Sequence, residues 1–84
     1  MYKSSVFVTL KPTVNDPQGL TIKSGLQTLG FNSVESVRAG KYLEITLDAP
    51  DITSAKQQIN DMCQNMLANL IIEDFRFDVT EISS

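Results

Sequence analysis

Met62-Cys63-Gln64-Asn65-Met66-Leu67-Ala68-Asn69-Leu70-Ile71-Ile72-Glu73-Asp74-Phe75 is the stretch in which one periodicity gives way to another. Met62, Cys63, Met66 and Leu67 recur at the spacing of one helix face. Asn69 suits a helix stop, because asparagine tolerates the left-handed backbone of a C-terminal cap. Glu73 and Asp74 then open a strand in which Phe75, Phe77 and Val79 alternate toward one side. A helix that runs straight into a one-sided strand predicts a helix layer lying on a sheet.

The elements on either side extend the pattern. Pro50-Asp51 opens the helix, whose Ile52, Ala55, Ile59, Met62 and Met66 form its apolar face, and the last strand runs on to about Ile82. Tyr42 to Asp48 alternates, with Leu43, Ile45 and Leu47 inward and Tyr42, Glu44, Thr46 and Asp48 outward. Phe31 to Arg38 reads as a further strand, bulged where Val34 and Val37 break the alternation. Ala39-Gly40-Lys41 then makes a tight hairpin turn, with Gly40 supplying a positive φ.

Toward the N-terminus, Asp16-Pro17 marks a helix start: proline biases the preceding residue away from helical angles and fits the first helical position itself. Ile22, Gly25, Leu26 and Leu29 form that helix's stripe, and Gly30 stops it. Gly25 costs helix propensity, which close approach of the helix to the sheet would explain. The first strand spans about Tyr2 to Lys11, with Val6, Val8 and Leu10 on one face and Ser5, Phe7 and Thr9 on the other. The expected fold is α+β, a two-layer sandwich of order β-α-β-β-α-β. Two helices lie on one face of a small antiparallel sheet, in a single domain over residues 1–84.

Composition narrows the function. Seven basic and ten acidic residues leave a net charge of −3, which disfavours binding to nucleic-acid phosphates. The lone Cys63 excludes an internal disulfide and fits a reducing cytoplasm. No apolar run is long enough to span a membrane, and Met1 leads straight into a strand pattern without a secretory signal. A chain of 84 residues builds a thin core, and burying more surface in a dimer is the usual remedy.

Catalytic chemistry is missing from the residues. There is no histidine, so neither the usual general base nor the usual metal ligand is present. Cys63 reads as a small buried hydrophobe. The four glycines have no phosphate-loop spacing. Glu73 and Asp74 point to opposite faces of a strand and cannot pair as acid and base; Glu44, Asp74 and Asp78 share the outer face with Arg76 as a charge lattice. No catalytic, cofactor-binding or metal-binding residue is expected.

The polar residues at the joints carry two readings. Lys11, Arg38 and Lys41 are either turn residues kept in water or a docking edge, with Arg38 able to hold a partner's carboxylate in its planar fork. Asp16 and Gln18 read first as capping residues, Gly19 as a place for close approach by a partner, and Asn69 as a helix stop, with Glu73 beside it at the strand mouth. Phe7 and Tyr42 put rings on the open sheet face, which a second copy would cover most simply.

Three blocks, in order over nearly the whole chain, resemble the PurS family. They are the Met62 to Phe75 stretch, Leu10-Lys11-Pro12 leading to Asp16-Pro17-Gln18-Gly19, and Leu29-Gly30-Phe31 leading to Val37-Arg38-Ala39-Gly40-Lys41. The resemblance implies the small subunit of phosphoribosylformylglycinamidine synthase, an ATP-dependent amidoligase of purine biosynthesis. It implies a homodimer without chemistry of its own. That dimer would bridge a glutaminase subunit and a large synthetase subunit that uses ATP and magnesium, supporting ammonia transfer to formylglycinamide ribonucleotide. Leu70 stands where the family commonly has proline, and Thr13 where it has glycine. An amino-acid-binding regulatory domain of ACT type shares the element order, but Pro12-Thr13-Val14-Asn15-Asp16 lacks the glycine such loops favour. An RNA-binding domain of the same order would need more than the single ring of Gly40-Lys41-Tyr42-Leu43-Glu44.

Overall fold

The computed structural model describes residues 1–82. Strand β1 (Tyr2–Leu10) is central and pairs antiparallel with β2 (Gly40–Leu47) on one side and β3 (Glu73–Glu81) on the other. The register places Val6 between Leu43 and Phe77 and Val8 beside Phe75, so the alternating residues of all three strands share one apolar face. Helix α2 (Ile52–Met62), continued by a π-helical turn over Cys63–Leu67, lies on that face across β3 and β1. Val6, Val8, Ala55, Ile59 and Cys63 are completely buried there. Each large aliphatic side chain so buried contributes about 1.5–3 kcal/mol. The Ser4 hydroxyl, also buried, donates to the Asp78 carbonyl at 2.7 Å, so its burial leaves no unmet hydrogen bond.

Both helix starts follow from capping chemistry. Asp16 accepts the Gly19 amide at 2.9 Å ahead of α1 (Pro17–Thr28), and Asp51 accepts the Ser54 amide at 2.7 Å ahead of α2. The C-terminus of α1 closes as the sequence indicates. Gly30 takes φ +100°, its amide donates to the Gln27 carbonyl, and the Phe31 amide donates to the Leu26 carbonyl.

The α+β class and the small antiparallel sheet hold, while the element order is β-α-β-α-β. Residues 31–39 form no strand. Val34 and Val37 are half-buried; the Val37 carbonyl lies against Gly19 and the Val34 carbonyl accepts the Gln27 side chain, so the segment follows α1 and pairs with no strand. There is consequently no hairpin at 39–41: Gly40 is the first residue of β2 and lacks a positive φ. Its glycine matters for space, since a Cβ would lie 2.6 Å from the Val8 carbonyl oxygen. The stretch Leu70–Ile72 is a turn, so β3 starts at Glu73. Met66 is 85% exposed because the π turn swings the helix face to Cys63, Leu67 and Ala68.

The two helices do not share a face of the sheet. Helix α1 packs extensively on no strand, and Gly19 is its one buried residue. Leu20, Ile22 and Leu29 stay exposed, and a Cβ at Gly25 would meet nothing within 4 Å. The close approach expected at Gly25 is therefore absent from the chain itself. With α1 projecting from the sheet end, the molecule measures 50 × 30 × 14 Å.

Candidate functional site

The antiparallel register brings three joints to one end of the sheet: the end of β1, the start of β2 and the start of β3. Thr9 pairs with Gly40 and with Asp74, and Leu10 pairs with Glu73. A cleft of about 230 Å³ opens there, with Val8 and Leu10 as its apolar lining. Asp16 and Gln18 come from the start of α1, Ala39 through Lys41 from the start of β2, and Glu73 from β3.

Asp16 holds the cleft together. Its Oδ1 accepts the Gly19 amide, and its Oδ2 accepts the Ala39 amide at 2.6 Å, tying α1 to the approach to β2. These amides, with Arg38 nearby, hold the buried carboxyl below the usual carboxylate range. Gly19 is tight against the Val37 carbonyl, so the close approach read at this glycine is made by the chain's own connector. The Asp-Pro signal foretold the cap; the second hydrogen bond, to a residue 23 positions away, was not legible in it.

Arg38 turns back onto its own chain. Its Nη2 donates to the carbonyls of Lys11 at 2.9 Å and Val14 at 2.8 Å, closing the loop between β1 and α1. The Lys11 amide donates to the Ile72 carbonyl, and its ammonium lies 3.5 Å from Asp74. Lys41 Nζ donates to the Leu67 carbonyl at 3.3 Å, at the end of the π turn, and lies 3.8 Å from Glu73. Glu73 in turn accepts the Asn69 amide at 2.7 Å, while the Asn69 side chain accepts the Ile71 amide. Asn69 thus orders the turn into β3, one residue beyond Ala68, where the backbone is already extended. All eight joint residues singled out in the sequence, seven polar ones and Gly19, gather at this end of the molecule.

Phe7 and Tyr42 meet on the outer sheet face, their ring centroids 5.1 Å apart. The Arg76 guanidinium sits 4.1 Å above the Phe7 ring, an attraction that charge counting alone did not reveal although the pairing of Phe7 with both Tyr42 and Arg76 explains it. The Tyr42 hydroxyl donates to Glu44 at 2.9 Å, and Lys3 lies 3.4 Å from Glu44. The Tyr42 hydrogen bond, then Lys3, lowers the Glu44 carboxyl from its ordinary value. This row satisfies itself within one chain.

Both acidic side chains in the cleft accept hydrogen bonds from the chain's own amides, and burial pushes the Cys63 thiol up, away from the thiolate form. Among the described residues, no cluster of His, Cys, Asp or Glu is arranged to hold a metal ion, and no helix is long and apolar enough to cross a membrane.

The sequence model of one protein family, PurS, described as phosphoribosylformylglycinamidine (FGAM) synthase, matches residues 3–81. The Synechocystis protein phosphoribosylformylglycinamidine synthase subunit PurS is 48% identical over 81 residues, which are 96% of this chain and 81% of that protein. The crystal structure of Methanocaldococcus jannaschii PurS, one of the subunits of formylglycinamide ribonucleotide amidotransferase in the purine biosynthetic pathway, is 36% identical. It superposes with a TM-score of 0.89, covering 99% of this chain and 100% of that one. A chain of the Thermotoga maritima PurLQS structure shares the fold, with a TM-score of 0.87 at 24% identity over 94% of this chain and 96% of that one. Matched along nearly its whole length in sequence and in fold, this chain belongs to the PurS family, a subunit of phosphoribosylformylglycinamidine synthase in purine biosynthesis.

Proposed function

We propose that this chain is the non-catalytic small subunit of its synthase and works in the cytoplasm as a homodimer. It bridges a glutaminase subunit and a large synthetase subunit, so that ammonia released at one active site reaches the other without loss to water. ATP and magnesium belong to the large subunit. The observation that carries this reading is the end of the sheet. Polar residues from three strands and the first helix converge on a cleft whose carboxylates are held by the chain's own donors, while Gln18 and Lys41 stay exposed beside the turn carrying Leu70 and Ile71. Such a surface is suited to being gripped by a protein, with a polar rim around apolar anchors. The Thermotoga maritima structure named PurLQS supports the same reading, since a chain of this fold occurs in it.

The test is reconstitution with the two larger subunits. Adding this chain should raise glutamine-dependent synthesis of the amidine and change ammonia-dependent synthesis far less, and the chain alone should release no glutamate from glutamine. Equal glutamine-dependent turnover with and without the chain would contradict the bridging role.

A further inference from the structure

The turn between the π-helical end of α2 and β3 carries the two most exposed large apolar side chains among the described residues. Met66 and Ile71 are each 85% exposed, and Leu70 between them is 46% exposed. From Gln64 to Ile72 the chain has no charged side chain. An unbroken α-helical repeat would put Met66 on the buried face with Ile59 and Met62, whereas the π turn swings it outward. Single π turns of this kind are concentrated at functional positions.

The turn is fixed from within. The Asn69 carbonyl accepts the amides of Ile72 and Glu73 at 3.1 and 2.7 Å, and the Asn69 side chain accepts the Ile71 amide at 3.2 Å. The Asn69 amide donates to Glu73, and Lys41 reaches across from β2 to donate to the Leu67 carbonyl. These bonds hold the aliphatic side chains on a frame that has little backbone freedom left to lose when it is covered. That is the condition under which exposed apolar groups contribute most to binding.

We infer that Met66 and Ile71, with Leu70, are the anchor by which this chain seats in an apolar pocket of a larger subunit of the synthase, a pocket rimmed by neutral polar groups. The inference rests on the bridging role proposed above. An aliphatic centre without charge, bordered by Gln64, Asn65 and Asn69, has the make-up of a protein interface core; a lipid-binding surface would carry basic side chains around it. A second copy fits less well. Turn against turn falls well short of the about 800 Å² that each side of a stable interface buries. A turn set into another copy's sheet-end cleft joins two different surfaces, and such contacts tend to run on into open chains. A larger subunit can cover the turn and the neighbouring cleft together, since Lys41 lines the cleft and holds the turn.

The test uses the full chain with Met66→Gln and Ile71→Gln together, which removes the apolar groups and leaves the hydrogen bonds that fix the turn. Its thermal midpoint and its sedimentation should match those of the unaltered chain, because both side chains lie at the surface. The concentration of chain that half-restores glutamine-dependent amidine synthesis by the two larger subunits should rise roughly tenfold or more. Ile52→Gln, which removes an exposed apolar group at the far end of α2, should leave that concentration unchanged. A folded double variant as effective as the unaltered chain, or an equal loss from Ile52→Gln, overturns the inference. A double variant that has lost self-association also overturns it, by assigning the turn to contacts between copies. Flotation of the unaltered chain, but not the double variant, with phosphatidylcholine–phosphatidylglycerol vesicles overturns it in favour of a membrane. Should the double variant fail to fold, Ile71→Gln alone, which lies beyond the π turn, should show a smaller rise in the same direction, and no rise overturns the inference. An unaltered chain without effect on glutamine-dependent synthesis removes the bridging role itself, and this anchor with it.

Discussion

Helices α1 and α2 start alike and end in opposite circumstances. Each opens on an aspartate that accepts the amide three residues on, and each repeats apolar residues at helical spacing. Yet α2 buries Ala55 and Ile59 completely, and Cys63 just beyond it, whereas α1 buries only Gly19. Periodicity states which face of a helix is apolar; it does not state which molecule covers that face. In this chain one helix builds the core of the single copy, and the connector holds the other away from that core.

The contrast can be broken most forcefully at Ile59. Ile59→Ala empties the fully buried centre of the core and should destabilise the chain by about 2–5 kcal/mol in urea unfolding. Leu29→Ala, at a residue 75% exposed, should change the unfolding of the dilute chain by about 0.5 kcal/mol or less. Similar losses from the two variants at low concentration would erase the distinction between the helices.

Asp16 comes next, because it joins the projecting helix to the sheet. Asp16→Ala removes acceptors from the Gly19 and Ala39 amides and should lower the thermal midpoint by several degrees. The pH dependence has a definite sign. The folded carboxyl sits below its ordinary value, so its stabilising contribution is complete above the unfolded carboxylate pKa of about 3.9 and is lost as pH falls through the lower, folded value. Acid titration followed by circular dichroism should therefore show a shallower loss of stability in Asp16→Ala than in the unaltered chain; identical slopes would remove Asp16 from this role.

The smallest effect belongs to Lys41. Its ammonium is 3.8 Å from Glu73 and mostly exposed, so Lys41→Ala should cost under about 1 kcal/mol of stability in the same urea assay. A larger loss would mean that its bond to the Leu67 carbonyl is needed to hold the π turn in place.

How far these features could be read from the sequence depends on where their causes lie. The three strands were legible because a period of two is a local property, and Asp16-Pro17, Asp51 and Gly30 marked helix ends through local chemistry. Residues 31–38 look strand-like, but Gly19 against the Val37 carbonyl and the Gln27 side chain on the Val34 carbonyl hold the segment along α1, a long-range outcome that local alternation does not state. Met66 was misplaced because a π turn changes the helical repeat without a sequence signal at that point. The polar joints were found by their positions at element ends. Their partners were not, since Arg38 on the Lys11 and Val14 carbonyls and Asp16 on Ala39 depend on how distant segments fold together.

Amide hydrogen exchange measured across a dilution series tests most directly whether the two helices serve different purposes. In the dilute chain, amides of α2 and the three strands should stay protected, whereas those of α1 should exchange far faster. Equal protection of α1 and α2 in the dilute monomer would contradict the account.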